Sequence, residues 1–450
     1  MTTLPPEFVI QVQELLGAAS DNLIEALAAT PPVSVHRNPR KSVDLEGITE
    51  GVPWYSEGYY LSSRPVFTLD PAFHAGAYYV QEASSMLIAA AFQRCFPEGR
   101  PLRVLDLCAA PGGKTTLLAS LLPQGSWLLA NEVIRSRYQI LRYNVAKWGH
   151  ASVFTSNHDV SQFKGLEGFF DCVLVDAPCS GEGLFRKDPA ARDEWSPEHV
   201  QFCAARQGRI LEEAAPLVAP EGVLLYSTCT YNSYENDSQA RWLKEVAGFN
   251  HVDLDFPAEW GLMERTYGYQ AFPHRVKGEG FYLAAFRRED GDRSVLRKIP
   301  PFKKLQLVAA KEEFVALPWV KADTDTVFFT TPTNANWRAL RASWMEDARW
   351  LSAHLPALEV GTLVGELKGK SLIPAPEWAL HEDCNSNLPT VDTDRETALE
   401  LLRKHTPSLS LPPTGWVLAH YQGLPFAWLK SIGNRYNNYY PVQWRIRMQE

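Results

Sequence analysis

The chain has 450 residues, 45% of them hydrophobic and 21% charged, which is ordinary globular composition and enough for roughly three domains. No run of about 18 apolar residues occurs, so no transmembrane helix is expected, and the start Met-Thr-Thr-Leu-Pro-Pro lacks the basic and apolar regions of a signal peptide. The net charge of -8 argues mildly against a nucleic-acid partner, although local basic clusters can override a total. Five such clusters occur: His36 to Lys41; Arg135, Arg137 and Arg142; Arg186 and Lys187; Arg297, Lys298, Lys303 and Lys304; and Arg435, Arg445 and Arg447. Each is read first as a solvated face. The seven cysteines are scattered and form no C-x-x-C pair. That points to a reducing, cytoplasmic setting and away from a disulfide framework or a metal site.

Residues 7–29 carry apolar positions at helical spacing, with a Ser20-Asp21 cap signal between two helical stretches. A short strand at 33–39 runs into a basic turn, and 47–75 is rich in Gly, Pro and aromatics. Residues 1–77 therefore read as a small α+β, RNA-binding-like module whose aromatics, Trp54, Tyr55, Tyr59, Tyr60 and Phe67, pack a core, with stacking on bases as the alternative. From 78 to 289 helices alternate with apolar strands, the pattern of an α/β doubly wound sheet. Helices are expected over 81–96, 113–122, 136–148 and 197–218. Strands are expected over 102–107, 127–131, 151–156, 171–176, 222–228 and 280–287. Residues 287–304 are charged and Pro-containing and read as a linker. Residues 300–385 read as a middle C-terminal domain, the polar stretch 381–394 as a boundary, and 395–450 as a last module with strands near 415–421 and 425–430.

Two of the strands end in chemistry. The first runs Asp171-Cys-Val-Leu-Val-Asp-Ala-Pro-Cys-Ser-Gly-Glu-Gly183, an apolar strand closing on Asp176, a Pro-fixed turn and Cys179. The second, Gly222-Val-Leu-Leu-Tyr-Ser-Thr-Cys-Thr230, closes on Cys229. Ligands of open parallel sheets bind at the carboxyl ends of the strands, so these side chains stand where a site would be. A free cysteine is usually a small buried apolar residue, which suits Cys95, Cys172 and Cys203.

Asp106-Leu-Cys-Ala-Ala-Pro-Gly-Gly-Lys-Thr-Thr116 joins a strand to a helix. Small residues let the backbone approach a ligand, and a helix N-terminus favours an anion. A P-loop would need Gly where Cys108 stands, and Pro111 removes a cradle N–H. An S-adenosylmethionine loop fits better. Glu132 after the second strand is placed for the ribose hydroxyls, and Asp159 after the third is placed for the adenine.

Cys108-Ala-Ala-Pro-Gly-Gly-Lys-Thr115, Asp176-Ala-Pro-Cys-Ser-Gly-Glu-Gly183 and Ser227-Thr-Cys-Thr230 together resemble the RNA cytosine-5 methyltransferases of the RsmB/RsmF and Nop2/Sun group. Tyr78-Tyr-Val-Gln-Glu-Ala-Ser-Ser-Met86 looks like that group's lead-in helix, and Phe185-Arg-Lys-Asp-Pro189 and Gly280-Phe-Tyr-Leu-Ala284 resemble further group segments. The tail from Gly433 resembles that of the RsmF subgroup, which carries a PUA-like RNA-binding module. The resemblance is strong over 78–288, good over the last 60 or so residues, and weak over 300–385. It implies a Rossmann-like class I S-adenosylmethionine-dependent core between an N-terminal α+β module and C-terminal α+β and PUA-like modules. It also implies that Cys108, Ala109, Ala110, Pro111, Gly112, Gly113, Lys114, Glu132, Arg137, Asp159 and Asp176 contact the cofactor or target base. Cys229 would be the nucleophile and Cys179 the second thiol. His158-Asp159-Val160 departs from the group, which often has glycine after the aspartate.

The chemistry suits the residues. Carbon five of cytosine is a poor nucleophile until a thiolate adds to carbon six. Asp176 can hold nitrogen three and the exocyclic amine while charge builds there. The expected substrate is an unstacked cytosine of ribosomal RNA, small-subunit RNA by the RsmF-like tail, with the RNA naked or in the assembled subunit. A cytoplasmic monomer without membrane contact is expected. Transfer RNA is the alternative substrate. A non-catalytic assembly factor would not need all of Asp176, Cys179 and Cys229. A DNA cytosine methyltransferase would attack from the Pro-Cys thiol and would not carry the extra Thr-Cys thiol.

Overall fold

The structure, a computed structural model, describes residues 4–289, 308–309, 319, 325–330, 336–368, 371–384 and 387–448. Its centre is a nine-stranded sheet. Five strands run parallel in the order Val218–Thr228, Phe170–Asp176, Arg103–Asp106, Trp127–Asn131, Val153–Ser156. Phe281–Arg287 adds antiparallel to Val218–Thr228, and Tyr269–Ala271, Met263–Glu264 and Asn250–Val252 complete that edge. The middles of the parallel strands are apolar because both faces are covered. Alternate side chains feed two cores. Val104, Leu128, Leu174 and Leu225 enter one. Leu105, Leu129, Val173 and Leu224 enter the other.

Element ends follow local chemistry. The Ser196 side chain accepts from His199 N and starts the helix Pro197–Ala214. Arg135–Trp148 stops at Gly149, φ +73°, where a Cβ would lie 2.0 Å from Leu380 O. The helix expected over 81–96 begins later, as a 3-10 turn Ser84–Met86 and then Leu87–Cys95. Its start is set by Glu82, whose carboxylate accepts from Ser84 N and Ser85 N at 2.8 and 2.9 Å. The strand expected over 222–228 begins earlier, at Val218.

The flanking modules are packed onto this core. The N-terminal helices Pro6–Leu16 and Ser20–Ala28 bury Phe8, Val12, Leu23 and Leu27 against Phe185 and Trp195. Trp54, Tyr55 and Tyr60 enter the core of the central sheet beside Met86, so these aromatics of 47–75 pack as expected. The cluster His36 to Lys41 is no solvated face: His36, Asn38 and Lys41 are buried. Lys41 Nζ donates to Ala75 O and Lys147 O at 2.9 and 2.6 Å, pinning module to core. Beyond the core, Trp344, Trp350 and Leu351 pack on Phe154 and Trp127. Asp347 receives Arg103 and Trp127 Nε1 at 3.0 and 2.9 Å. The polar stretch 381–394 starts buried, since His381 stacks on Trp378 at 4.6 Å. The last sheet, Thr390–Thr393, Thr414–Tyr421, Leu424–Ile432 and Arg435–Asn438, shares a core with Ala75 and Leu69. The cluster Arg297, Lys298, Lys303 and Lys304 and most of the expected linker lie outside the described residues.

Candidate active site

The parallel strands end on one edge, with the order reversing between Arg103–Asp106 and Phe170–Asp176, where a crevice must open. Register sets Asp176 beside Ser227, two residues before Cys229. Ala177 N donates to Ser227 O at 2.9 Å, so the two strand tips continue side by side. Cys179 Sγ and Cys229 Sγ consequently lie 3.1 Å apart, as free thiols. The hydrogen bond to Cys229, together with burial, pushes the Cys179 thiol well up.

Asp176 accepts from Lys114 Nζ at 2.8 Å on one oxygen and from Ser227 Oγ at 2.8 Å on the other. Burial alone would lower the Lys114 ammonium. The Asp176 carboxylate outweighs it and the net shift is upward. Lys114 also stands 5.0 Å over the Phe281 ring.

Cys108, Ala110, Glu132, Arg137, Asp159, Asp176, Cys179 and Cys229 line one cavity of about 660 Å³. Glu132 is buried, accepts from Ile134 N at 2.8 Å and pairs with Arg137 at 3.3 Å. Arg137 donates in turn to Ala110 O at 2.7 Å, tying the helix to the loop. The helix Gly113–Leu121 has no side-chain cap, and its N-cap Gly112 is left-handed at φ +116°. Its first amides are therefore available to an anion. Burial raises the Asp106 carboxyl to about 7, and among the described residues its Oδ1 has no hydrogen-bond partner while Oδ2 accepts from Thr115. An uncapped helix start, a buried acid at the second strand tip and an orphaned carboxylate oxygen fit a zwitterionic nucleoside cofactor. Asp159 is the least enclosed of the expected set. It lies exposed at the rim, where Oδ1 accepts from Ser161 Oγ at 2.6 Å and from Ser161 N at 3.0 Å and caps a short turn, and those two bonds, the hydroxyl's first, lower its carboxyl.

A second cavity, about 350 Å³, opens on the other side of Asp176 and Cys229. Tyr79, Gln81, Asp106, Ala109, Pro111, Gly113, Lys114, Lys187, Glu279 and Phe281 belong to its wall. Sequence reasoning missed the acids that hold these loops. Glu182 accepts from Gln11, Trp195, Tyr231 N and Asn232, at 2.8 to 3.2 Å. Glu235 accepts from Ser180 N, Gln207 and Asn232. A charged residue inside Ser180-Gly-Glu-Gly183 was the one local sign of the first, and Glu235 had none. Gly183 N donates to Cys229 O at 2.8 Å, and a Cβ there would sit 2.9 Å from that oxygen. Asn131 joins the strand-tip loops through Leu107 O, His158 O and Ser156 Oγ.

A parallel sheet edged by an antiparallel strand, with acids at successive tips over a nucleoside-sized cavity, defines a class I S-adenosylmethionine-dependent methyltransferase. Residues 98–287 match the family described as 16S rRNA methyltransferase RsmB/F. Residues 4–83 match the N-terminal domain of 16S rRNA methyltransferase RsmF, and 388–446 match the methyltransferase RsmF PUA domain. Ribosomal RNA small subunit methyltransferase F of Enterobacter sp. (strain 638) is 31% identical, over 97% of this chain and 95% of that protein. The protein of the same name from Cronobacter sakazakii is also 31% identical, with the same coverage. A methyltransferase homolog protein from Pyrococcus horikoshii superposes with a TM-score of 0.54 at 27% identity, over 63% of this chain and 94% of that one. NSun6 from the same organism, solved with SFG, has a TM-score of 0.54 at 19% identity over 64% and 99%. That last likeness concerns the fold. The chain belongs to the 16S rRNA methyltransferase RsmB/F family, S-adenosylmethionine-dependent enzymes that methylate cytosine carbon five in ribosomal RNA.

Proposed function

We propose that this protein methylates carbon five of a cytosine in small-subunit ribosomal RNA through a covalent bond from Cys229 to the base. Cys179 serves the release step. The carrying observation is the 3.1 Å approach of the two free thiols beside the Lys114–Asp176 pair. Either sulfur can donate to the other across that contact. Cys229 stands at the Thr-Cys position that the family resemblance marks as the nucleophile, and it adds to carbon six as the thiolate, its proton having passed to solvent. Addition loads negative charge onto nitrogen three and the carbonyl oxygen of the ring. Lys114 supplies a fixed positive charge there, and Asp176 orients the ring's amine. S-adenosylmethionine, when bound, supplies the electrophilic methyl group. The 108–114 loop and the amides that start Gly113–Leu121 hold its carboxylate, Glu132 its ribose, and Asp159 stands at the adenine end. Once carbon five carries the methyl group, solvent base takes its proton, the pair left behind re-forms the carbon five–carbon six double bond, and Cys229 departs as a thiolate that Cys179 stabilises by a hydrogen bond.

The N-terminal module and the tail flank the site as RNA-binding elements. The substrate is the RNA of the small ribosomal subunit and the enzyme acts as a cytoplasmic monomer. No helix among the described residues is long and apolar enough to cross a membrane. Bisulfite sequencing of ribosomal RNA from cells with and without the gene tests the reading. A small-subunit cytosine that loses protection in the deletion is the expected result. Unchanged small-subunit RNA with a lost signal in transfer RNA would move the substrate.

A further inference from the structure

The second cavity holds a charge pair that the chemistry above does not use. Lys187 Nζ lies 2.5 Å from Glu279 Oε2. The lysine side chain is 42% exposed and the glutamate side chain 7%. Among the described residues no amide or hydroxyl donates to Glu279 Oε2. The backbone of Glu279 is, by contrast, tightly placed. Its N–H donates to Glu82 Oε1 at 2.9 Å, and its carbonyl accepts from the Tyr231 hydroxyl at 2.6 Å. The next residue, Gly280, sits at φ +132°, where a Cβ would lie 2.5 Å from the Tyr231 ring. The fold thus fixes a carboxylate in the cavity wall and leaves it one partner that solvent can reach. Burial raises that carboxyl, and the Lys187 ammonium opposes the shift. Such a pair adds little stability, because the desolvation of the acid offsets the attraction.

We propose that Lys187 and Glu279 read the sugar and phosphate of the nucleotide whose base enters this cavity. Lys187 swings to the phosphate, and the freed Glu279 accepts a hydrogen bond from the ribose 2′-hydroxyl. A carboxylate is an acceptor only and is repelled by phosphate, so it needs a donor on the substrate. RNA offers two kinds, base amines and the 2′-hydroxyl. Asp176 stands against the thiols, where the reacting ring must lie, and takes the amine. Glu279 shares the wall with the half-exposed lysine, where sugar and backbone remain outside. DNA lacks the matching donor, so the pair selects ribose.

This inference rests on the reading of the protein as a cytosine-5 methyltransferase of RNA. The test uses the full chain and a synthetic oligoribonucleotide spanning the cytosine mapped by bisulfite sequencing. The partner probe is the same strand with one 2′-deoxycytidine at that position. Wild type should show kcat/KM lower on the deoxy probe by on the order of tenfold, the factor of one charged hydrogen bond. Glu279→Ala should bring that ratio to about one and Glu279→Gln, which keeps an acceptor, should restore part of it. Lys187→Met should raise KM and flatten the salt dependence of RNA binding by about 0.7 in log–log slope, one single-strand phosphate. Unchanged S-adenosylmethionine affinity in each variant shows that the site is folded. Equal rates of wild type on the two probes overturn the inference while leaving the activity intact, as does a ratio that Glu279→Ala preserves. An unchanged salt slope in Lys187→Met overturns the phosphate half. No methylation of either probe by wild type would instead sink the reading on which the inference rests.

Discussion

The two thiols make the sharpest prediction, because their substitutions must differ in kind. Cys179 and Cys229 are 3.1 Å apart, so each reaches the same carbon, and distance does not assign their roles. The proposed route has Cys229 attack and Cys179 serve release, and the two substitutions test that order. Cys229→Ala removes the nucleophile and should lower methyl transfer by on the order of 10⁴-fold or more, with no covalent RNA adduct. Cys179→Ala leaves attack possible and removes the group beside the departing sulfur. A positioned proton-transfer group contributes roughly 10²–10⁴-fold, so multiple turnover should fall by that factor. Adduct should accumulate toward one per enzyme. Both residues are half-buried, so each truncation costs only about 1 kcal/mol of stability and the variants remain folded. The assay is a denaturing gel with labelled RNA, run beside a burst measurement with labelled cofactor. The double variant should match Cys229→Ala. An adduct trapped by Cys229→Ala would reverse the assignment, and no adduct from either variant would refute the covalent route.

The geometry also sets four other outcomes. Glu132→Ala strands Arg137 and removes the acid at the second strand tip, and should weaken S-adenosylmethionine binding by roughly 1–3 kcal/mol; unchanged affinity in calorimetry would take Glu132 out of the site. Deleting 395–450 would uncover Ala75 and Leu69 and so lower Tm, which confounds any loss of RNA binding. Arg445→Glu with Arg447→Glu alters only exposed side chains, and should weaken RNA binding and flatten its salt dependence at unchanged Tm; equal affinity would exclude the tail from the RNA surface. Burial lifts the Asp106 carboxyl from 3.8 to about 7. A raised folded value contributes stability that is complete below the unfolded value and lost as pH climbs through the folded one. The stability of wild type relative to Asp106→Asn should therefore fall between pH 4 and 7, by at most ~4 kcal/mol, and stay flat above. Parallel denaturation curves across that range would show that Asp106 is ionised in the fold at all these pH values.

The sequence alone determined the sheet and its chemical tips. Trp127–Asn131 was readable to the residue, because a strand buried on both faces is a continuous apolar run whatever surrounds it. Asp176, Cys179, Cys229 and Glu132 were legible for a related reason: each closes such a run, and strand ends are where ligands bind in this class of sheet. Long-range packing could not be read that way. Lys114 and Asp176 meet across 62 positions, and Glu182 draws Gln11 from 171 positions away to fix the loop of the second thiol. Hydrophobic periodicity carries no information about which distant loops touch. The same blindness made the cluster from His36 to Lys41 look like a solvated face. Its charge is buried because Lys41 finds two carbonyls, one of them on the helix Arg135–Trp148. The two cavities on either side of Asp176, and the N-terminal segment that walls one of them, exist only once those distant pieces have packed. Tertiary structure therefore decided how near the thiols stand and where the cavities beside them open.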